Sequence, residues 1–292
     1  MPGRVDFRSA PPDIPSFPAG FEIVCPRSHE RPFGAQEEAV SSALVQNYAR
    51  IDVAFERGEG AYLHAEDGRR FLDFASGIGV NSLGHAHPGV TQALKDQADK
   101  LLHVSNLYNI PSQTRLAERL VANSFADRAF FCNSGAEAVE AALKMARIHH
   151  STNGQPERYR VVTAVGAFHG RTLATIAAGG QAKHLDGFGP KVEGFDQIAL
   201  NDLDAAKQAV GPETAAILVE PLQGEGGIHM ADSEFLAGLR ALADEAGILL
   251  IYDEIQCGMG RTGKLWAHEW SGGTPDIMTL AKGLTNAAIP MG

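Results

Sequence analysis

The sequence lacks any run of basic residues. Asp and Glu number 35 against 25 Lys and Arg, a formal net charge of −10. That balance excludes the electrostatic footprint of a nucleic-acid or anionic-membrane binder. Long apolar runs are also missing. The longest, such as Ala246 to Tyr252, is far too short to span a bilayer, so no membrane partner is expected. Residues 1–15 contain no apolar core, and no secretory signal is expected. Cysteine is scarce: Cys25, Cys132 and Cys257 are widely spaced and odd in number. They predict neither a disulfide framework nor a zinc knuckle, and they fit a reducing cytoplasm. There is no internal repeat.

What is present is a globular composition. Of 292 residues, 44 % are hydrophobic and 21 % charged, which leaves no room for a disordered chain or a coiled coil. Residues 1–45 are set apart by prolines at 2, 11, 12, 15, 18, 26 and 32 and read as an extended leader. Residues 46–87 form a second segment, and 88–292 carry alternating apolar runs and amphipathic stretches. Strands are expected at Arg128–Cys132, Tyr159–Val165, Ala215–Glu220, Ile248–Tyr252 and Asp276–Leu280. Helices are expected at Pro88–His103, Gln113–Asn123, Ala136–His150 and Ser233–Ala246, the last with Asp232 as its N-cap. Continuous apolar strands alternating with helices imply an α/β fold, a mostly parallel sheet covered on both faces.

One motif misleads. Gly258–Lys264 (GMGRTGK) satisfies G-x-G-x-x-G and falls one residue short of a Walker A loop. A phosphate loop would need a Ser or Thr after the lysine, where Leu265 stands. A dinucleotide fold would need a helix to open there, but KLWAHEWSGGTP is broken by Gly and Pro. Nucleotide binding is rejected.

Features at strand ends fit together better. Asn133–Glu137 follows an expected strand and opens a helix. Ser134-x-x-Glu137 has capping-box spacing, and the amides of Gly135 and Ala136 form an anion site if a ligand is there. Gly166–Thr172 (GAFHGRT) sets Phe168, His169 and Arg171 beside the same sheet edge. Read alone, a core aromatic and a solvent-facing arginine explain Phe168 and Arg171 more simply. Asp253, at the end of a buried strand, requires a cationic or hydrogen-bonding partner. Lys282, leaving a buried strand and followed by Gly283, is poorly explained as a surface charge and is placed to act as an amine nucleophile. His85 and His87 form an H-x-H pair without a third ligand, and no metal is expected.

These residues carry a resemblance. Asn133–Glu137, Phe168–Thr172, Glu220–Gly226 (EPLQGEG), Asp253–Gln256 and Lys282-Gly283, with residues 75–88 (ASGIGVNSLGHAHP), resemble in type and order the class III pyridoxal-phosphate aminotransferases of fold type I. SNLYNIP at 105–111, GAFHGRTLATIAA at 166–178 and GFGPKVEGF at 187–195 resemble the branch that acts on N-acetylornithine with 2-oxoglutarate as acceptor, a step of arginine biosynthesis. The segment GLTNAAIPMG after Lys282 is closer to the ω-amino acid:pyruvate branch. That branch, 4-aminobutyrate transamination and a non-catalytic fragment stay open as alternatives.

The resemblance implies pyridoxal phosphate as cofactor, an amino donor and a 2-oxo acid as small-molecule partners, and a homodimer. It implies that Lys282 bonds covalently to the cofactor and moves the substrate proton, while Asp253 keeps the pyridine nitrogen protonated. Phe168 is expected to stack on the ring, Gly135 and Ala136 to hold the phosphate, and Glu254, Ile255 and Gln256 to line the cofactor, with Gln256 near the phenolic oxygen. Arg171 is expected to bind the donor's α-carboxylate. Glu225 is expected to pair with an arginine and release it for the acceptor; without the resemblance it reads as a solvated loop acid. The chain runs ten residues past Lys282. The family's C-terminal small domain is therefore expected to lie outside these residues, and turnover by them alone is expected to be impaired.

Overall fold

The computed structural model describes residues 22–23, 43–45 and 47–292. Nearly all of the expected leader at 1–45, Cys25 included, lies outside the described residues. The chain divides into two compact units, one of residues 1–76 with 84–87, the other of 77–83 with 88–292.

The first unit holds a small sheet of β1 (Glu22–Ile23), β2 (Phe55–Glu59), β3 (Tyr62–Ala65) and β4 (Arg70–Leu72), in the order β1-β4-β3-β2. Gly60, at φ 55°, makes the tight β2–β3 turn that a side chain would strain. Phe71 is buried and meets Phe55 edge to face at 5.4 Å. His85 of the H-x-H pair sits 2.7 Å from Asp73 Oδ2 through Nε2. Among the described residues no group of three metal-ligating side chains occurs.

A short helical segment, α1 (Ser76–Gly79), is broken by positive φ at Gly77 and Ile78. The second unit then runs α2 (Pro88–Ala98), α3 (Pro111–Ala122), α4 (Gly135–Thr152), β5 (Arg160–Ala164), α5 (Leu173–Ala178), α6 (Ala182–Leu185), β6 (Phe195–Ile198), α7 (Leu203–Ala209) and β7 (Thr214–Val219). It continues through β8 (Leu222–Gln223), β9 (His229–Met230), α8 (Ser233–Ala246), β10 (Leu249–Asp253) and β11 (Ile277–Thr279). Five strands form a wholly parallel sheet in the order β11-β10-β7-β5-β6, with β8 and β9 a separate hairpin. The expected α/β fold with a parallel sheet is observed.

Why the strands read as unbroken apolar runs is clear at β7, the sheet's centre. All six of its residues are buried, and alternate ones enter two different cores. Ile217 and Val219 join Leu250, Tyr252 and the α8 residues Phe235, Leu236 and Leu239. Ala216 and Leu218 join Ile251 and the α4 residues Val139, Ala142, Leu143 and Ala146. Helix α8 has the expected limits and ends at Gly247, whose φ of 62° is the left-handed C-cap conformation. Asp232 occupies its N-cap position but makes no side-chain cap bond; its own amide donates to Asn201 Oδ1 at 2.8 Å.

One expected strand is absent. Residues Arg128–Cys132 are not in a strand, because only Cys132 has a partner. Its amide donates to the Gly292 carbonyl at 2.9 Å and its carbonyl accepts from Gly292 at 3.1 Å. Two residues away Phe130 is 61 % exposed. A cavity of about 450 Å³, lined by Phe131, Ala138, Met145, Ile277 and Met278 among others, lies here at the sheet's β11 edge.

Candidate active site

Because the strands are parallel, their C-terminal ends share one edge of the sheet. The chain leaves β5 for β6 on one side and returns to β7 on the other, so the sheet's switch point falls between β5 and β7, where such folds bind ligands. The loop after β5 carries Phe168, His169 and Arg171. Glu220 follows β7, Asp253 ends β10 and Lys282 follows β11.

Asp253 is buried and fully engaged. Oδ1 accepts from the Ile255 amide (3.0 Å) and from Thr279 Oγ1 (3.0 Å), and Oδ2 lies 2.7 Å from His169 Nδ1. Both oxygens are therefore occupied, by two donors and by the imidazole nitrogen. The Thr279 bond follows from strand register, since Asp253 pairs directly with Thr279 across β10 and β11. His169 and Thr279 had no role in the sequence reading; a two-residue register match between distant strands leaves no local signal.

Lys282 stands three residues past Thr279 at φ 45°, a left-handed conformation that costs a residue with a Cβ about 1 kcal/mol or more. Burial pushes its amine below the ordinary lysine range, against the opposing pull of Glu225, Asp253 and Glu220. An amine that is more readily neutral is a better nucleophile and base. Glu220, which the sequence reading quoted but gave no role, is buried and accepts from the Phe168 amide at 3.1 Å.

The first turn of α4 adjoins this edge. Ser134 caps it, accepting from Glu137 N at 3.2 Å, while Glu137 reaches back to the Asn133 amide at 2.6 Å, one residue earlier than a capping box requires. Gly135 and Ala136 are the first two helical residues, so their amides have no intrahelical acceptor. A Cβ on Gly135 would lie 2.9 Å from Ile255 Cδ1, and one on Gly170 would lie 2.7 Å from Ala136 Cβ. The helix N-terminus, the β10 end and the β5 loop are therefore in direct contact, and at Gly170, with φ 127°, only glycine permits it.

Phe168 and Arg171 are brought together, the guanidinium carbon 5.2 Å from the ring centroid, with His184 edge-on to the same ring at 5.8 Å. Gln256 Nε2 donates to Glu225 Oε1 at 3.3 Å, and its buried Oε1 has no partner. Gly224 has room only for hydrogen; a Cβ there would overlap the Gln256 amide oxygen.

Glu254, expected to line the cofactor, makes other contacts. Its carboxylate is turned to the short helical turn Ala267–Trp270, accepting from Ala267 N (2.6 Å) and His268 N (2.8 Å), with His268 Nδ1 at 2.7 Å. Those contacts occupy it, so it anchors a loop and does not line the Asp253 side. Cys257 is buried and its thiol is pushed up by that burial, which leaves it unreactive. In the Gly258–Lys264 loop Lys264 Nζ donates to Glu269 O at 2.7 Å and lies over the Trp270 ring, and Arg261 donates to Gly79 O and Ser82 Oγ at 3.1 Å.

The family model described as aminotransferase class-III matches residues 43–292. The chain is 62 % identical over 251 residues to an acetylornithine aminotransferase of Mesorhizobium japonicum, covering 86 % of this chain and 63 % of that protein. It is 49 % identical to the acetylornithine aminotransferase of Methanocaldococcus jannaschii, covering 85 % and 62 %. Among solved structures it resembles N-acetylornithine aminotransferase from Stenotrophomonas maltophilia (TM-score 0.72, 42 % identity, 84 % of this chain and 62 % of that one). It also resembles ornithine aminotransferase from Toxoplasma gondii (TM-score 0.82, 33 % identity, 85 % and 60 %). The chain spans a little under two thirds of the length of these relatives.

Proposed function

The chain belongs to the class III aminotransferase family, and on that premise we propose that it serves the pyridoxal-phosphate-dependent transfer of the terminal amino group of N-acetylornithine to 2-oxoglutarate. The observation that carries the reading is the convergence at one sheet edge of a partly buried amine, Lys282, a triply bonded carboxylate, Asp253, and the open amides of α4. Identities of 55–62 % to seven curated acetylornithine aminotransferases favour this donor; two solved omega-transaminases resemble this chain at 26–30 % identity.

The residues fit the cofactor. The unpartnered buried Gln256 Oε1 and the first-turn amides of α4, which lack intrahelical acceptors, leave polar capacity at the strand ends. Gly135 and Ala136 would hold the phosphate, because helix N-terminal amides and the dipole favour an anion. Asp253 would hold the proton on the pyridine nitrogen, with His169 and Thr279 fixing the carboxylate. Phe168 would flank the ring, Ile255 and Gln256 would line it, and Lys282 would bind it covalently. Bound there, pyridoxal phosphate supplies an electron sink for the carbon that loses its proton. Once the donor's amino group had displaced it from the cofactor, Lys282 Nζ, biased toward its neutral form, would take that proton and return it. Arg171 binds the donor carboxylate through its planar fork, and Glu225 is the movable acid near the acceptor.

We further take 88–292 as the cofactor-binding domain, 46–87 as an interface segment, a homodimer as the assembly and the cytoplasm as the location. No helix among the described residues is long and apolar enough to cross a membrane.

The test is borohydride reduction of the pyridoxal-phosphate-loaded protein, followed by peptide mapping. A pyridoxyl group is expected on Lys282, and the visible band is expected to shift on adding N-acetylornithine. Labelling of Lys144 or Lys183 instead would overturn the assignment.

A further inference from the structure

We infer that Glu220 is a positioning residue that works as a neutral carboxylic acid, holding the Phe168 main chain while leaving Asp253 the single buried anion of the two. The roles of Phe168 and Asp253 rest on the reading above; the state of Glu220 does not.

The geometry begins with strand register. Val219 of β7 pairs with Tyr252 of β10, so the next residues, Glu220 and Asp253, emerge side by side from adjacent parallel strands. Both are almost completely buried, at 3 % and 2 % exposure. Two adjacent carboxylates removed from water cannot both ionise cheaply, and the proton goes to the one with the poorer set of donors. Asp253 accepts from Ile255 N and Thr279 Oγ1 and has His169 Nδ1 at 2.7 Å. Glu220 has the Phe168 amide at 3.1 Å.

The other charged groups do not reverse this. Lys282 favours the ionised form of Glu220, but that amine is itself biased toward neutrality by burial. Glu225 acts with Asp253 to disfavour it, and the nearby Cys257 thiol is held protonated. Burial first and the Asp253 charge second push the Glu220 carboxyl well above its usual range. A neutral acid still accepts the Phe168 bond through its carbonyl oxygen, so it can fix the loop without adding charge beside the ring-binding carboxylate.

The experiment compares wild type with Glu220→Gln and Glu220→Ala. In cofactor-free protein at neutral pH, the infrared difference between wild type and Glu220→Gln is expected to show the carbonyl stretch of a protonated carboxyl. Carboxylate bands in its place would overturn the proposal. Unfolding free energy against pH gives an independent reading. An acid whose folded pKa is raised loses stability as pH climbs above its unfolded value toward the folded one, so Glu220→Gln should gain on wild type over that range. A relative loss with rising pH would mean an ionised Glu220.

Removing the neighbouring charge with Asp253→Asn should move loss of the infrared band to lower pH; an unmoved titration would refute the coupling. For positioning, pyridoxal phosphate affinity should stay within about threefold in Glu220→Gln and fall roughly tenfold in Glu220→Ala, where the Phe168 amide loses its acceptor. Equal losses in both variants, or none in either, would overturn it. Wild type failing to bind pyridoxal phosphate would instead refute the functional reading, with the infrared and stability results still deciding the state of Glu220.

Discussion

Glu254→Ala separates a residue that holds the cofactor from one that holds a loop. The side chain is buried, and its two oxygens take the Ala267 amide, the His268 amide and His268 Nδ1 at 2.6, 2.8 and 2.7 Å. Truncation leaves two buried amides and an imidazole without their acceptor. Hydrogen bonds to a charged group contribute about 1.5–3 kcal/mol each, and breaking a buried charged cluster by removing one partner typically costs about 3–5 kcal/mol in total after relaxation. For a domain of this size roughly 2–4 °C is lost per kcal/mol, so the melting temperature should fall by roughly 6–20 °C. Glu254→Gln keeps the volume and one acceptor oxygen but turns an NH₂ toward a donor, so about 1–3 kcal/mol is expected. The assay is urea unfolding followed by circular dichroism, beside a pyridoxal phosphate titration of the folded variants. Unchanged stability with tenfold weaker cofactor binding would refute the argument and return Glu254 to the cofactor's lining.

Four other outcomes are expected. Ser134→Ala removes the cap of α4 and should cost about 1 kcal/mol in the same unfolding assay, together with weaker phosphate binding; no loss in either would mean the α4 N-terminus is not the anion site. Leu239→Ala, at a fully buried position between α8 and the sheet, should cost about 2–5 kcal/mol, and a cost under 1 kcal/mol would contradict the packing described. The depressed Lys282 pKa means the unfolded chain holds that proton at pH values where the folded one has released it. Stability should therefore rise with pH through the window ending at the ordinary lysine value of 10.5, and Lys282→Met should flatten that rise. Arg171→Ala should raise KM for N-acetylornithine far more than it lowers kcat, as removal of uniform carboxylate binding requires; a pure kcat loss would show that Arg171 acts elsewhere.

Much of this was legible from residues alone, and for a local reason. The β5, β7 and β10 segments are buried on both faces, so their burial is written as unbroken apolar runs. The limits of α8 follow from its periodic leucines and from Gly247. Lys282 and Asp253 were conspicuous because a charged residue ending an apolar strand needs an explanation. Tertiary structure decided what depends on a distant partner. Arg128–Cys132 has the composition of a strand, and among the described residues its Cys132 exchanges backbone bonds with Gly292. Asp253 and Glu254 are adjacent in sequence and alike in chemistry, but β10 ends at Asp253 and the two carboxylates meet different neighbours. Packing of Ala267 and His268 against one face, and of His169 and Thr279 against the other, assigned one carboxylate to a loop and the other to the site. The pairing of Glu220 with Asp253 is set by the register of β7 against β10, an interaction between residues 33 positions apart that no local pattern encodes.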